Sequence, residues 1–272
     1  ACGVHPHEAK DAAEGYLEEL RQMLQNEKCV ALGEIGLDYH YGADKRGQQI
    51  ELFEQQLEIA KKYDYFCEMW SDMFFRLVQG SDFNDSGVIP EDIRESIPKG
   101  VRLVHWSYQK QTDEVLANQL QMHRAICDDL TLAGCAWKSQ GLAPNNQYSI
   151  EVTEKQLRVC REYHVDKFMV TIWSDGGAHC SIFAVLPALF ATAEMAKGKR
   201  LEEIDKERFR EIVGADYDDF MLLDNLNNPF FKKLERMNTR CYWGLLSDLF
   251  MGSYDLLLDE KNNEAYSSLA NK

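Results

Sequence analysis

Leu130-Thr131-Leu132-Ala133-Gly134-Cys135-Ala136-Trp137 decides the reading of the fold. The run is almost wholly apolar yet too short for a helix, so it reads as a strand buried on both faces, the pattern of a parallel sheet. Four runs of the same kind lie around it: Cys29–Ile35, Tyr65–Trp70, Val101–Trp106 and Phe168–Trp173. Ala1–Val4 reads as the end of a sixth strand. Successive starts, at residues 29, 65, 101, 130 and 168, are spaced by the length of one strand–helix unit. The segments between carry helical periodicity. Asp11–Gln25 repeats Leu17, Leu20 and Leu24, and Gln48–Lys62 repeats Leu52, Phe53, Leu57 and Ala60. Glu151–Tyr163 follows Ser149, a capping candidate, and Ile182–Lys197 predicts a buried helix. Residues 201–272 predict helices only, with apolar clusters at Phe209–Val213, Phe220–Leu226 and Leu245–Phe250.

This alternation predicts an α/β fold with a parallel sheet. A (β/α)8 barrel of the TIM type is the leading form, and an open doubly wound sheet is the alternative. Five or six units are visible where a closed barrel has eight. The expectation is therefore a barrel lacking its first two strand–helix units, followed by a helical C-terminal part.

Composition narrows the class. Of 272 residues, 45% are hydrophobic, enough for a core and too many for a disordered chain. The net charge of −15, with no run of basic residues, disfavours nucleic acid as a partner held by charge alone. The longest apolar stretch, Ile182–Ala193, is interrupted by Pro187 and falls short of the roughly 20 residues of a bilayer span. No export leader is seen, and the eight cysteines form no C-x-x-C pair, so reduced thiols in a cytoplasmic protein are expected. A membrane protein, a collagen, a coiled coil and a disulfide scaffold are all excluded.

Working residues in parallel α/β folds gather at the C-terminal ends of strands. Here those ends read Glu34 and Asp38, then Trp70-Ser71-Asp72, His105-Trp106-Ser107-Tyr108, Ala136-Trp137-Lys138 and Trp173-Ser174-Asp175. One rim tryptophan is ordinary packing. Four at equivalent places suggest a shared aromatic box, whose faces suit a sugar ring while carboxylates bond its hydroxyls. Asp72 and Asp175 read equally well as turn or cap residues. His5-Pro6-His7 offers metal-ligating nitrogens at a spacing also common in loops. Glu34, inside Gly33-Glu34-Ile35-Gly36, is costly in an apolar strand end unless paired or metal-bound. The cysteines read as core thiols rather than nucleophiles.

Two resemblances follow from longer motifs. Gly3-Val4-His5-Pro6-His7-Glu8-Ala9 and Val30-Ala31-Leu32-Gly33-Glu34-Ile35-Gly36-Leu37-Asp38-Tyr39-His40-Tyr41 make residues 1–62 similar to TatD-type metal-dependent deoxyribonucleases. That resemblance implies that Glu34 is a metal-binding glutamate at a barrel strand end. Residues 63–272 resemble family 20 glycoside hydrolases, the β-N-acetylhexosaminidases. The matching text is Met69-Trp70-Ser71-Asp72-Met73-Phe74-Phe75-Arg76, Ala133-Gly134-Cys135-Ala136-Trp137, Gly141-Leu142-Ala143-Pro144-Asn145, Trp173-Ser174-Asp175-Gly176-Gly177-Ala178, Ile212-Val213-Gly214 and Asp218–Asp224. Together they imply a splice at matching barrel positions. Residues 1–62 would supply strands three and four, residues 63–200 strands five to eight, and residues 201–272 the helical region.

The second resemblance implies a retaining, substrate-assisted hydrolysis of terminal N-acetylhexosamine without a cofactor. Asp38 would orient the acetamido group, and Tyr39 stands where that family has its acid glutamate. A phenol with a pKa near 10 donates poorly at neutral pH, so turnover would be impaired. Trp70, Trp106, Trp137 and Trp173 would wall the sugar site, with Tyr108 bonding the acetamido carbonyl and Asp72 and Asp175 the hydroxyls, while His179 stands at a substrate-binding position where that family has an acidic residue. A glycosidase acting on a small carbohydrate is thus the main expectation. The alternatives are a TatD-like nuclease using a divalent metal, for which Glu34, His105 and Asp175 are the ligands on offer, or a catalytically silent chimera. Missing strands would leave sheet edges open to self-association.

Overall fold

The computed structural model of the chain describes residues 1–72, 74, 89–97, 99–139, 141–174, 179–226 and 267. Asp175 and the cluster expected at Leu245–Phe250 lie outside the described residues. The chain divides into two units, Ala1–Cys67 and Glu68–Lys272.

In the first unit the strands expected at Ala1–Val4 and Cys29–Ile35 shrink to one parallel bridge between Cys2 and Leu32. Cys2 N donates to Ala31 O at 3.0 Å and Gly33 N to Cys2 O at 2.9 Å. Beyond that pair Gly33 and Gly36 interrupt the run, and Gly36 sits at φ +127, outside the extended range of a ladder. Helices α1 (Tyr16–Leu24), α2 (Tyr39–Gly42) and α3 (Arg46–Lys62) follow. Leu20 and Leu24 of α1 bury against Ile59 of α3, with Leu17, Leu32, Tyr63 and Tyr65 around them.

The second unit holds a parallel sheet in the order β1 (Glu68–Trp70), β2 (Arg102–Trp106), β3 (Leu130–Cys135), β4 (Lys167–Thr171). Among its described residues the helices are α4 (Glu91–Ser96), α5 (Asp113–Arg124), α6 (Asn146–Glu162), α7 (Leu186–Ala196), α8 (Lys206–Val213) and α9 (Tyr217–Met221). All six residues of β3 are buried, as its unbroken apolar run requires. One face turns Leu103, Leu130 and Leu132 onto Leu116 and Leu120 of α5 and Val159 and Cys160 of α6. Val104, Ala133 and Cys135 form the other face, against an aromatic cluster. The α/β class and the parallel sheet are as expected. Among the described residues the sheet is a run of four strands and not the closed barrel.

Helix α6 begins at Asn146, five residues before the expected start, and Ser149 does not cap it. Ser149 Oγ instead accepts from Trp137 N at 2.8 Å and donates to Asn145 O at 2.7 Å. The orphan amides of Asn146 and Gln147 are taken by Asp224, at 3.0 and 2.7 Å. Burial pushes the Asp224 carboxyl up to about 6, although both amides pull the other way.

A polar pair is sealed inside. His105 of β2 and His123 of α5 are fully buried, their ring centroids 4.4 Å apart. His123 Nδ1 bonds Gln119 O and Nε2 bonds Ser71 Oγ, each at 2.6 Å, while His105 Nε2 bonds Gln119 Oε1 at 3.0 Å. Burial holds His105 down at about 4 and His123 well below 6.5.

Two predictions follow from this packing. A Cβ on Gly134 would lie 2.8 Å from both Gln156 Oε1 and the Phe168 ring. Gly134→Ala should cost about 1–3 kcal/mol, read as a lower urea midpoint. The two histidines are neutral when folded but bind protons near 6.5 when unfolded. Stability should therefore be lost as pH falls from 6.5 toward 4, at up to about 1.4 kcal/mol per group and pH unit. Asp224, raised when folded, gains stability over much of the same window and offsets part of the loss. Thermal melts across this range should show a net fall, and His123→Gln should flatten it.

Candidate functional site

In the first unit, polar chemistry collects on two loops that α3 holds. Gln56, fully buried, accepts from Val4 N at 2.7 Å and donates to Val4 O at 3.0 Å. Seven residues earlier on the same helix, buried Gln49 does the same for Asp38, accepting from its N at 2.9 Å and donating to its O at 2.8 Å. Each primary amide carries both a donor and an acceptor, so it stands in for a neighbouring strand. The clamped residues adjoin the candidate residues: Val4 precedes His5, and Asp38 is one of them.

Across 31 residues of sequence, a ring nitrogen of His7 meets a carboxylate oxygen of Asp38 (Nε2 to Oδ2, 2.6 Å). The other oxygen, Oδ1, accepts from His40 N at 2.9 Å and starts α2. The rings of His5 and His7 stand edge to face at 4.4 Å, and His5 Nδ1 accepts from His7 N at 3.3 Å. Tyr39 carries the Arg46 guanidinium over its ring, 4.7 Å from the centroid. Glu34 is exposed, so the expected cost of a carboxylate in an apolar strand end does not arise.

The second unit brings the predicted aromatic residues together at the strand ends. Trp70, Trp106, Tyr108, Trp137 and Trp173 share one cluster with Val104, Ala133 and Cys135. Their rings meet edge-on or tilted: Trp106 to Tyr108 at 5.2 Å, Tyr108 to Trp137 at 6.2 Å, and Trp173 to both Tyr108 and Trp70 at 6.4 Å. The Tyr108 hydroxyl accepts from Trp173 Nε1 at 2.8 Å and hydrogen-bonds Thr171 Oγ1 at 2.7 Å. Burial pushes it up to about 12. Aromatic edges that fill one another's faces make a core, not a slot for a flat ligand. Asp72 is buried at the end of β1, and His179 is exposed. Buried Lys138 donates from Nζ to Ser174 Oγ at 3.0 Å. His105, offered above as a ligand, belongs to the sealed histidine pair.

Comparison with known proteins bears on residues 1–68, which match the family model for TatD related DNase. A metal-dependent hydrolase of Bacillus subtilis, YabD, is 40% identical over 62 residues, 23% of this chain and 24% of that protein. The human 3'-5' RNA nuclease TATDN2 is 43% identical over 61 residues, 22% of this chain and 8% of that one. The 3'-5' ssDNA/RNA exonuclease TatD of a Pantoea species is 32% identical over 82 residues, 29% of this chain and 32% of the relative. The chain spans about a quarter of the length of the curated relatives it matches.

These matches overturn the glycosidase expectation. They are to metal-dependent hydrolases and nucleases, and they bring no support for a family 20 segment. Within the aromatic cluster the Tyr108 hydroxyl is engaged by Thr171 and Trp173. The roles assigned to Asp38 and Tyr39 in acetamido chemistry lose their reaction.

The glutamine clamps were missed by sequence reading. A signal existed: Gln49, Leu52, Gln56 and Ile59 form one buried stripe of α3, with amides at every second place. Gln49→Leu and Gln56→Leu would each strand a backbone donor and acceptor. Each should lower stability by about 1–3 kcal/mol, whereas Gln48→Leu, at an exposed position, should change it little. Thermal melts of the three variants check this.

Proposed function

We propose that the first unit carries the chemistry of a TatD-type hydrolase and that the chain cleaves phosphodiester bonds of single-stranded nucleic acid. The observation that carries this reading is the match over residues 1–68, which contains both His5-Pro6-His7 and Gly33-Glu34-Ile35-Gly36-Leu37-Asp38. The names of two relatives, an RNA nuclease and an ssDNA/RNA exonuclease, supply the substrate class. The barrel belongs to the same reading, with the sequential parallel strands of the second unit as part of its wall.

A divalent metal is implied by the family. Among the described residues no three His, Cys, Asp or Glu side chains come together to hold one. The described arrangement does not fit a metal. The chain's own residues offer a proton-handling pair. Asp38 Oδ2 lies 2.6 Å from His7 Nε2 and orients the imidazole. A proton held at His7 can pass to the oxygen that leaves phosphorus. With a net charge of −15, the chain would have to grip a strand by local contacts and not by its overall field. That no such trio occurs among the described residues favours a second reading, a segment that folds without turning over substrate.

One assay separates the two readings. End-labelled single-stranded DNA and RNA, incubated with the full chain and Mg²⁺ or Mn²⁺, should shorten with time. His7→Ala and Asp38→Asn should each slow cleavage by about 10²-fold or more. Intact substrate after long incubation with a cooperatively melting protein would leave only the silent reading.

A further inference from the structure

The bridge from Cys2 to Leu32 sets two thiols side by side. Cys2 and Cys29 are 27 residues apart in sequence, and their Sγ atoms lie 2.9 Å apart. That is closer than the roughly 3.5–4.0 Å at which non-bonded carbon atoms pack. It is also less than an ångström from the about 2.05 Å of an S–S bond. The bridge fixes the Cys2 end of this approach, since Cys2 N donates to Ala31 O and Gly33 N donates back to Cys2 O, while Cys29 N donates to Asn26 O at 2.8 Å. Neither residue is buried, so a small oxidant can reach the pair. Of the other described cysteines, Cys135, Cys160 and Cys180 are buried, Cys67 is exposed, and Cys127 donates to Val101 O and Asp129 O.

We propose that Cys2 and Cys29 form a reversible disulfide, a redox-modification site that ties the His5–His7 segment to the segment leading into Glu34. The oxidant is a small-molecule disulfide, for which oxidised glutathione serves as the probe. Thiol–disulfide exchange proceeds in two steps. Cys29 thiolate attacks one sulfur of the probe, forms a mixed disulfide and expels one glutathione thiolate. Cys2 sulfur then attacks Cys29 Sγ, its proton passes to the second departing glutathione thiolate, and the protein S–S bond closes. Two protein thiols are oxidised, and one glutathione disulfide is reduced to two thiols.

The order of attack has a physical basis. Partial burial and the hydrogen bond with Cys29 push the Cys2 thiol up to about 11, so it stays protonated at neutral pH and enters second. The link closes a loop that contains His5, His7 and α1. Oxidation would therefore restrain the segment that Gln56 otherwise holds by hydrogen bonds alone. Reduction returns it to that weaker hold.

The full chain is incubated with oxidised glutathione, in buffer and separately in urea, then quenched by alkylation and mapped by peptide mass spectrometry. The expected result is loss of two of the eight thiols and a peptide linking Cys2 to Cys29, reversed by dithiothreitol. It should form at least about tenfold faster in buffer than in urea, since folding supplies the proximity. The oxidised chain should melt several degrees above the reduced one, and Cys2→Ser should stop at a glutathione adduct on Cys29. Absence of the linked peptide, or its formation no faster than in urea, would overturn the proposal. That comparison uses the unaltered chain, so it holds even if a cysteine variant fails to fold.

Discussion

Two buried side-chain amides on one helix hold the first unit in its working shape. Neither loop that carries the histidines and Asp38 makes a regular ladder beyond the Cys2–Leu32 bridge. Their backbone groups are instead satisfied by Gln56 and Gln49, which reach out from α3 and pair with Val4 and Asp38 on both the N–H and the C=O side. A buried peptide group left unpaired costs more than a hydrogen bond returns, so this pairing is a constraint and not an ornament. It delivers Asp38 to His7 and sets the Cys2 segment beside Cys29. The exposed chemistry of this unit therefore depends on polar groups that no solvent touches.

The second unit answers a different demand. A strand buried on both faces must find apolar cover on each. On one side β3 finds it in α5 and α6, and on the other in a cluster of four tryptophans and Tyr108. Aromatic rings at four strand ends read naturally as a binding box. They pack against one another, and the polar tips of Tyr108 and Trp173 are spent inside the cluster. The same logic seals His105 and His123 away as a neutral pair bonded to Gln119 and Ser71. Residue types alone do not separate a core of this kind from a site, because both call for large rings with a few hydrogen-bonding tips.

Charge placement shows where local reading fails. Glu34 lies in an apolar context, and burial seemed to demand a partner, yet its carboxylate meets solvent. Ser149 has the side chain of a cap, but the amides at the head of α6 are taken by Asp224, 77 residues or more away in sequence. For α6 the deciding partner is distant along the chain, and no window of sequence contains it.

The sequence by itself determined the α/β class, the parallel strands of the second unit within a few residues, and the TatD-type likeness of about the first 62 residues. These rest on periodicity and on contiguous motifs, which are local properties. Tertiary structure alone decided that the N-terminal strands reduce to one bridge, that His7 meets Asp38, that two glutamines brace the loops and that two thiols touch. It also decided that the tryptophans face one another. The physical reason is that hydrogen-bond satisfaction and ring packing are settled between residues tens of positions apart, where burial sets the cost of each unpaired group.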